Sequence, residues 1–177
     1  MSLDTFVVLA NQYNTESDAL ADYDAVRKLY NDLGIIDTYD AAVLTRRPDG
    51  RVEIVNRVEE PTRHGAAAGL LVGLAVGAIV TLFPAAGIGL AAGLVGGGAI
   101  GTTAGAVAGH VARGMRRSDL KELGELLDDG KSGLVVVAAS DVELKVEAAI
   151  TRAKKRAKAQ LQADVDAMKK EIDRVAA

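Results

Sequence analysis

From Gly65 to Gly109 the chain carries no Asp, Glu, Lys or Arg, and glycine recurs through it at every fourth residue. Gly65, Gly69, Gly73 and Gly77 form one row, and Gly89, Gly93, Gly97, Gly101, Gly105 and Gly109 a second. Four residues make about 1.1 helical turns, so each row predicts a slowly drifting glycine stripe on one face of a helix. Such a stripe lets another backbone approach closely. In lipid, where apolar side chains gain nothing by meeting each other, that close approach is what drives helix association. In water each glycine would cost roughly 1 kcal/mol relative to Ala, a heavy penalty without tight packing.

Between the rows, Thr81-Leu-Phe-Pro-Ala-Ala-Gly87 interrupts the pattern, and Pro84 is the expected tip of a helical hairpin over 63–113. As helices, 65–83 would span roughly 28 Å and 85–112 roughly 42 Å, against about 30 Å of hydrocarbon. Arg57 and Arg63 precede the hairpin and Arg113, Arg116 and Arg117 follow it, whereas its tip is uncharged. The positive-inside rule then predicts an inner-membrane protein with both ends in the cytoplasm. The competing expectation is a large cytoplasmic homo-oligomer that buries the hairpins between subunits. Both make the ten glycines helix-packing and oligomerisation residues.

The rest of the chain is ordinary by contrast. Aromatics make up 3 % of the 177 residues, and Trp and Cys are absent, which excludes disulfides, thiolate metal sites and cysteine nucleophiles. The net charge of −3 is unevenly spread: residues 1–60 hold twelve acids and six bases, and residues 113–177 hold twelve acids and fourteen bases. The N-terminal stretch lacks the basic start of a secretory signal. Thr5–Ala10 is an apolar run that reads as a buried strand. Thr15 is placed to cap a helix carrying Leu20, Tyr23, Val26, Tyr30 and Leu33, with Gly34 as its stop. Strands are expected over 35–45 and 51–58, joined by the turn Arg47-Pro-Asp-Gly50. Beyond the glycine rows, Ser118 is the expected cap of a helix with Leu120, Leu123 and Leu127, followed by a strand over 134–139. The implied fold class is α+β: a ferredoxin-like βαββαβ domain formed by 1–60 and 116–140, with the hairpin inserted between its third strand and second helix.

Asp40-Ala-Ala-Val-Leu-Thr-Arg-Arg-Pro-Asp-Gly-Arg-Val52 leads toward the Gly/Ala segment, and Asp119-Leu-Lys-Glu-Leu-Gly-Glu-Leu-Leu-Asp-Asp-Gly-Lys-Ser-Gly-Leu-Val-Val-Val137 follows it. Over about residues 5–140 this resembles the bacterial domain-of-unknown-function family numbered 1269, predicted membrane proteins. The resemblance implies a membrane location and supplies no catalytic residue.

Residues 141–177 read as one long charged amphipathic helix, from Val142 to Val175. Leu161, Val165, Met168, Ile172 and Val175 follow heptad spacing, suited either to the helix's own domain or to a helix of another subunit. Within it, Arg152, Lys154, Lys155, Arg156 and Lys158 form a basic cluster. Its functional reading is contact with anionic lipid, worth about 1 kcal/mol per residue near a membrane surface; its simpler reading is a solvated helix face. Nucleic acid is not expected, because no aromatic residue interleaves with the bases and the protein is acidic overall.

Other constellations fall short of chemistry. His64 and His110 flank the hairpin, but two ligands without a third do not make a metal site. Asp18, Asp22 and Asp24 read as solvated helix-surface carboxylates. No nucleophile–base set is evident. The expectation is therefore a protein without catalytic activity, cofactor, metal or small-molecule substrate, whose partners are its own copies and membrane lipid.

Overall fold

A computed structural model describes residues 4–34, 39–57, 78, 79, 82, 88–90, 109–128, 131–164, 166, 167, 170 and 174. Two apolar runs organise the fold. β1 (Asp4–Tyr13) and β5 (Ser132–Ala139) lie side by side, antiparallel, with Val8 opposite Val137. Every side chain from Ser132 to Ala138 is buried, as is every one from Phe6 to Tyr13. Strands covered on both faces read as continuous apolar runs rather than alternating ones, and that is the pattern seen at both places.

Among the described residues the strand order is β4-β3-β2-β5-β1-β6. β2 (Tyr39–Arg46) pairs antiparallel with β5 and with β3 (Val52–Arg57), through a turn in which Gly50 takes a φ of 84°. β4 (Ile88–Leu90) pairs parallel with β3, and β6 (Lys155–Ala163) pairs antiparallel with β1.

α1 (Glu16–Leu33) forms much as its sequence predicts. The Thr15 side chain accepts a hydrogen bond from the Asp18 backbone N–H at 3.2 Å, and Gly34 closes the helix at a φ of 68°. Tyr23, Val26 and Tyr30 are buried as expected, but Leu33 lies on the exposed side. α2 (Arg117–Asp128) begins before Ser118, so that residue lies inside the helix rather than capping it.

The largest departure concerns the C-terminal region. Up to Ala163 the expected helix from Val142 to Val175 is replaced by a 3-10 turn (Ser140–Val142), a short helix α3 (Glu143–Ala149) and the strand β6, whereas the described residues beyond it, 166, 167, 170 and 174, are helical. Ile150 is fully buried in extended backbone and ends α3. In β6 the sequence Lys-Arg-Ala-Lys-Ala-Gln-Leu-Gln-Ala alternates small or apolar residues with polar ones. Ala159, Leu161 and Ala163 turn into the core while Lys158, Gln160 and Gln162 stay exposed. That period of two suits a strand with one buried side. Of the heptad positions, Leu161 is committed to the protein's own sheet; Val165, Met168, Ile172 and Val175 lie outside the described residues.

The sheet order also reassigns the elements. β1-α1-β2 joins two parallel strands separated by β5, and β5-α3-β6 joins two parallel strands separated by β1. These are two interlocked split β-α-β units. The strand expected third, β3, belongs to neither and extends the sheet outside β2. The helix expected second, α2, belongs to neither as well. α1 and α3 cover one face, over Val7, Leu9, Val43, Leu134 and Val136. α2 covers the opposite face, over Val8, Leu44, Val135 and Val137, together with residues from the charge-free segment.

Candidate functional site

Residues of the expected hairpin, 63–113, are part of the domain's own core. Ala78, Ile79 and Val111 are buried against the α2-covered face, and Leu82 packs beside them. Residues 109–114 are helical, and Met115 and Leu123 join the same cluster. At Gly124 of α2 an added Cβ would stand 3.5 Å from the Leu82 carbonyl oxygen, so the two backbones run close there.

Two of the ten glycines can be placed. Gly109 lies in the helical stretch 109–114, where an added Cβ would meet only Arg113 Nη1 at 3.7 Å, an ordinary contact. Gly89 was expected on a helix, and here the structure corrects the reading: it sits in β4, opposite Glu53 of β3. Periodicity placed it on a helix because Gly89 continues the four-residue spacing. Ile88-Gly-Leu90 is also a short apolar run, and an open sheet edge can recruit such a run. Gly65, Gly69, Gly73, Gly77, Gly93, Gly97, Gly101 and Gly105 lie outside the described residues, as does Pro84. Leu82 packs on the α2-covered core, and Ile88 pairs with Val52 of β3. Among the described residues, no helix is long and apolar enough to cross a membrane.

A glycine outside the two repeats meets the closest contact. A Cβ at Gly114 would lie 2.1 Å from the Gln162 carbonyl oxygen and 2.7 Å from Leu161 Cδ1. Gly114 thus lets the helical stretch 109–114 press directly onto β6. Its position one residue off the required multiple of four hid it from the repeat pattern.

The basic cluster is not one helix face. Arg152 and Lys154 lie in the turn before β6, and Lys155, Arg156 and Lys158 lie on the strand, where neighbours alternate sides. Arg156 donates to the carbonyl oxygens of Glu147 at 3.1 Å and Ile150 at 2.6 Å, closing the end of α3. Lys158 is held by Glu143 at 2.5 Å and Glu147 at 3.2 Å, and hydrogen bonding to these two carboxylates keeps its ammonium above the ordinary lysine range. Arg156 and Lys158 therefore serve the protein's own fold.

Asp22 departs from the solvated state expected for it. It is buried and accepts hydrogen bonds from Tyr13 Oη at 2.9 Å and from the backbone N–H groups of Thr151 (3.3 Å) and Arg152 (2.9 Å). This carboxylate pins the β6 approach to α1. Burial, reinforced by the neighbouring Asp22, pushes the Tyr13 phenol well above its ordinary range. Nearby, Thr45 Oγ1 donates to Glu16 Oε2 at 2.9 Å and lies 3.0 Å from Ser132 Oγ. These groups satisfy one another at the end of the sheet. His110 sits part-buried on the helical stretch, and His64 lies outside the described residues. Among the described residues no group of three His, Asp or Glu side chains could hold a metal. In comparisons with known proteins, no family model, curated protein or solved structure matches the chain.

Proposed function

We propose that this protein is a non-catalytic self-assembling scaffold, built from a ferredoxin-like βαββαβ unit (β1-α1-β2 and β5-α3-β6) whose charge-free insert packs against the inserts of other copies through its glycine stripes. One combination carries the reading: a 45-residue stretch without charge, with glycine at ten of its twelve fourth-residue positions, belongs to a segment whose described residues already anchor it to the sheet. Glycine rows of this kind are favourable where backbones meet closely, and costly elsewhere. The satisfied state of Asp22, Thr45 and Ser132 supports a structural rather than chemical use of the buried polar groups.

Membrane association is the second form of the same proposal, as a scaffold or pore-like ring at the inner membrane with both ends cytoplasmic. It is favoured by the length of the charge-free stretch and the arginines on either side of it. Burial of Ala78, Ile79 and Val111 in the protein's own core favours the first form, because those side chains already have apolar neighbours. Kinship with the unknown-function family numbered 1269 belongs to the proposal too, carried by residues 40–52 and 119–137. High-speed centrifugation of a detergent-free lysate separates the forms. A soluble assembly leaves most of the protein in the supernatant as a discrete large species. A membrane scaffold leaves it in the pellet, resistant to carbonate and released by detergent. A small species free in the supernatant would contradict both.

A further inference from the structure

We propose that the cleft between β6 and the chain leading into α2 binds a phosphorylated polyol, with Arg113 and Arg116 holding its phosphate. The cleft has a volume of about 760 Å³. That lies within the range of small-molecule sites, about 300–1,000 Å³. One wall is the segment 113–116 with the first turn of α2, and the other is Lys158, Gln160 and Gln162 of β6. Those three alternate along the strand and so share a side.

Two features of the fold set the charges. The backbone at Gly114 lies against the Gln162 carbonyl oxygen, which an added Cβ would meet at 2.1 Å, so the segment carrying Arg113 and Arg116 is seated on the strand. Lys158 is held by Glu143 at 2.5 Å, and this pair is satisfied within the protein. Arg113 and Arg116 have no carboxylate partner among the described residues. Three cations and two carboxylates line the cleft, Arg113, Arg116 and Lys158 against Asp119 and Glu143. That is an excess of one positive charge in a protein of net charge −3. Guanidinium groups present paired N–H donors that match the oxygens of a phosphate.

The rest of the lining sets the class of ligand. A bare phosphate ion would fill a small part of the volume. The side-chain amides of Gln160 and Gln162 and the Asp119 carboxylate have no hydrogen-bond partner among the described residues. They offer donors and acceptors suited to hydroxyl groups. The apolar lining is Val7, Met115 and Ala159, with no aromatic ring on which a nucleotide base could stack. A polyol phosphate uses each of these polar groups. The same chemistry occurs in a free sugar phosphate and in the glycerol phosphate headgroup of a lipid. The site belongs to the folded domain and is separate from packing through the glycine rows.

Isothermal titration calorimetry of the full chain with glucose 6-phosphate, glycerol 3-phosphate and inorganic phosphate tests the free source. Flotation with phosphatidylglycerol vesicles, against phosphatidylcholine alone, tests the lipid source. At least one polyol phosphate is expected to bind about tenfold or more tightly than inorganic phosphate, and Arg113→Gln/Arg116→Gln to weaken it by about tenfold or more. Arg117→Gln, exposed and outside the cleft, should leave binding unchanged. Gln160→Ala/Gln162→Ala should weaken the polyol phosphates severalfold and leave inorganic phosphate as it was. All these variants change exposed side chains, so an unaltered urea midpoint verifies the fold. Vesicle binding that the double arginine variant loses and Arg117→Gln keeps, without binding of the free compounds, assigns the headgroup. No binding in either arm would overturn the site, as would binding that survives loss of both arginines. Inorganic phosphate held as tightly as the polyol phosphates, or glutamine changes without effect on them, would overturn the polyol assignment.

Discussion

Replacing Gly114 by Ala tests whether β6 is a strand pressed beneath the end of the helical stretch 109–114. A Cβ there would be 2.1 Å from the Gln162 carbonyl oxygen, 2.7 Å from Leu161 Cδ1 and 3.1 Å from the Gln162 carbonyl carbon. Two of these neighbours are backbone of a paired strand, so relief requires the helix or the strand to move by about 1 Å. Forced overpacking of this kind costs typically about 1–3 kcal/mol. Helix propensity would return at most about 1 kcal/mol. The net expectation is a loss of about 1–2 kcal/mol, read as a lower urea midpoint at unchanged slope. Gly109→Ala is the internal control. Its Cβ would meet only Arg113 Nη1 at 3.7 Å, so that variant should be neutral or gain up to about 1 kcal/mol. Equal effects of the two substitutions would refute the reasoning, because a long helix over 142–175 would place no backbone against Gly114.

Asp22→Ala should cost about 3 kcal/mol in the same urea assay, because it leaves the buried Tyr13 hydroxyl and the backbone N–H groups of Thr151 and Arg152 without their acceptor; a change under 1 kcal/mol would make the pin incidental. Tyr13 has a raised pKa in the fold, so its contribution is fully present below about pH 10, the unfolded value, and is lost as pH rises beyond it. The urea midpoint should therefore fall more steeply between pH 9 and 11 in the native protein than in Tyr13→Phe, by up to about 1.4 kcal/mol per pH unit. Ile79→Ala should destabilise the domain by about 2–4 kcal/mol, because Ile79 is fully buried in the sheet's own core. An unaltered midpoint would place that side chain elsewhere.

The parts of the fold legible in the sequence are those where local signals and tertiary packing agree. The Thr15 cap, the Gly34 stop and the Arg47–Gly50 turn are local devices, and they are where the residues place them. The apolar runs 5–10 and 134–139 announced doubly covered strands. β6 was obscured because Lys, Ala, Gln and Leu all favour helices, and Ala149, Ala153, Ala157 and Leu161 imitate a helical stripe. Its period-two pattern is real but rests on alanines, whose small area makes the apolar signal faint. Pairing with β1 along nine residues overrides the propensity. Asp22 shows the same limit at a single residue: it stands beside the buried Ala19, Tyr23 and Val26 on α1, but the donors to its oxygens lie at Tyr13 and, 129 and 130 positions away, at Thr151 and Arg152. Gly89 kept its place in the glycine row and still took a strand conformation, because β3 offered an edge to pair with.

Sedimentation velocity of the detergent-free protein, with and without Gly97→Leu/Gly101→Leu, tests the scaffold most directly. Self-assembly through the glycine rows predicts one discrete high-mass species for the native chain. The double variant should fall to a small species, a monomer or dimer, with its circular dichroism retained. A native chain already no larger than a dimer, or a high-mass species unchanged by the two leucines, would contradict it.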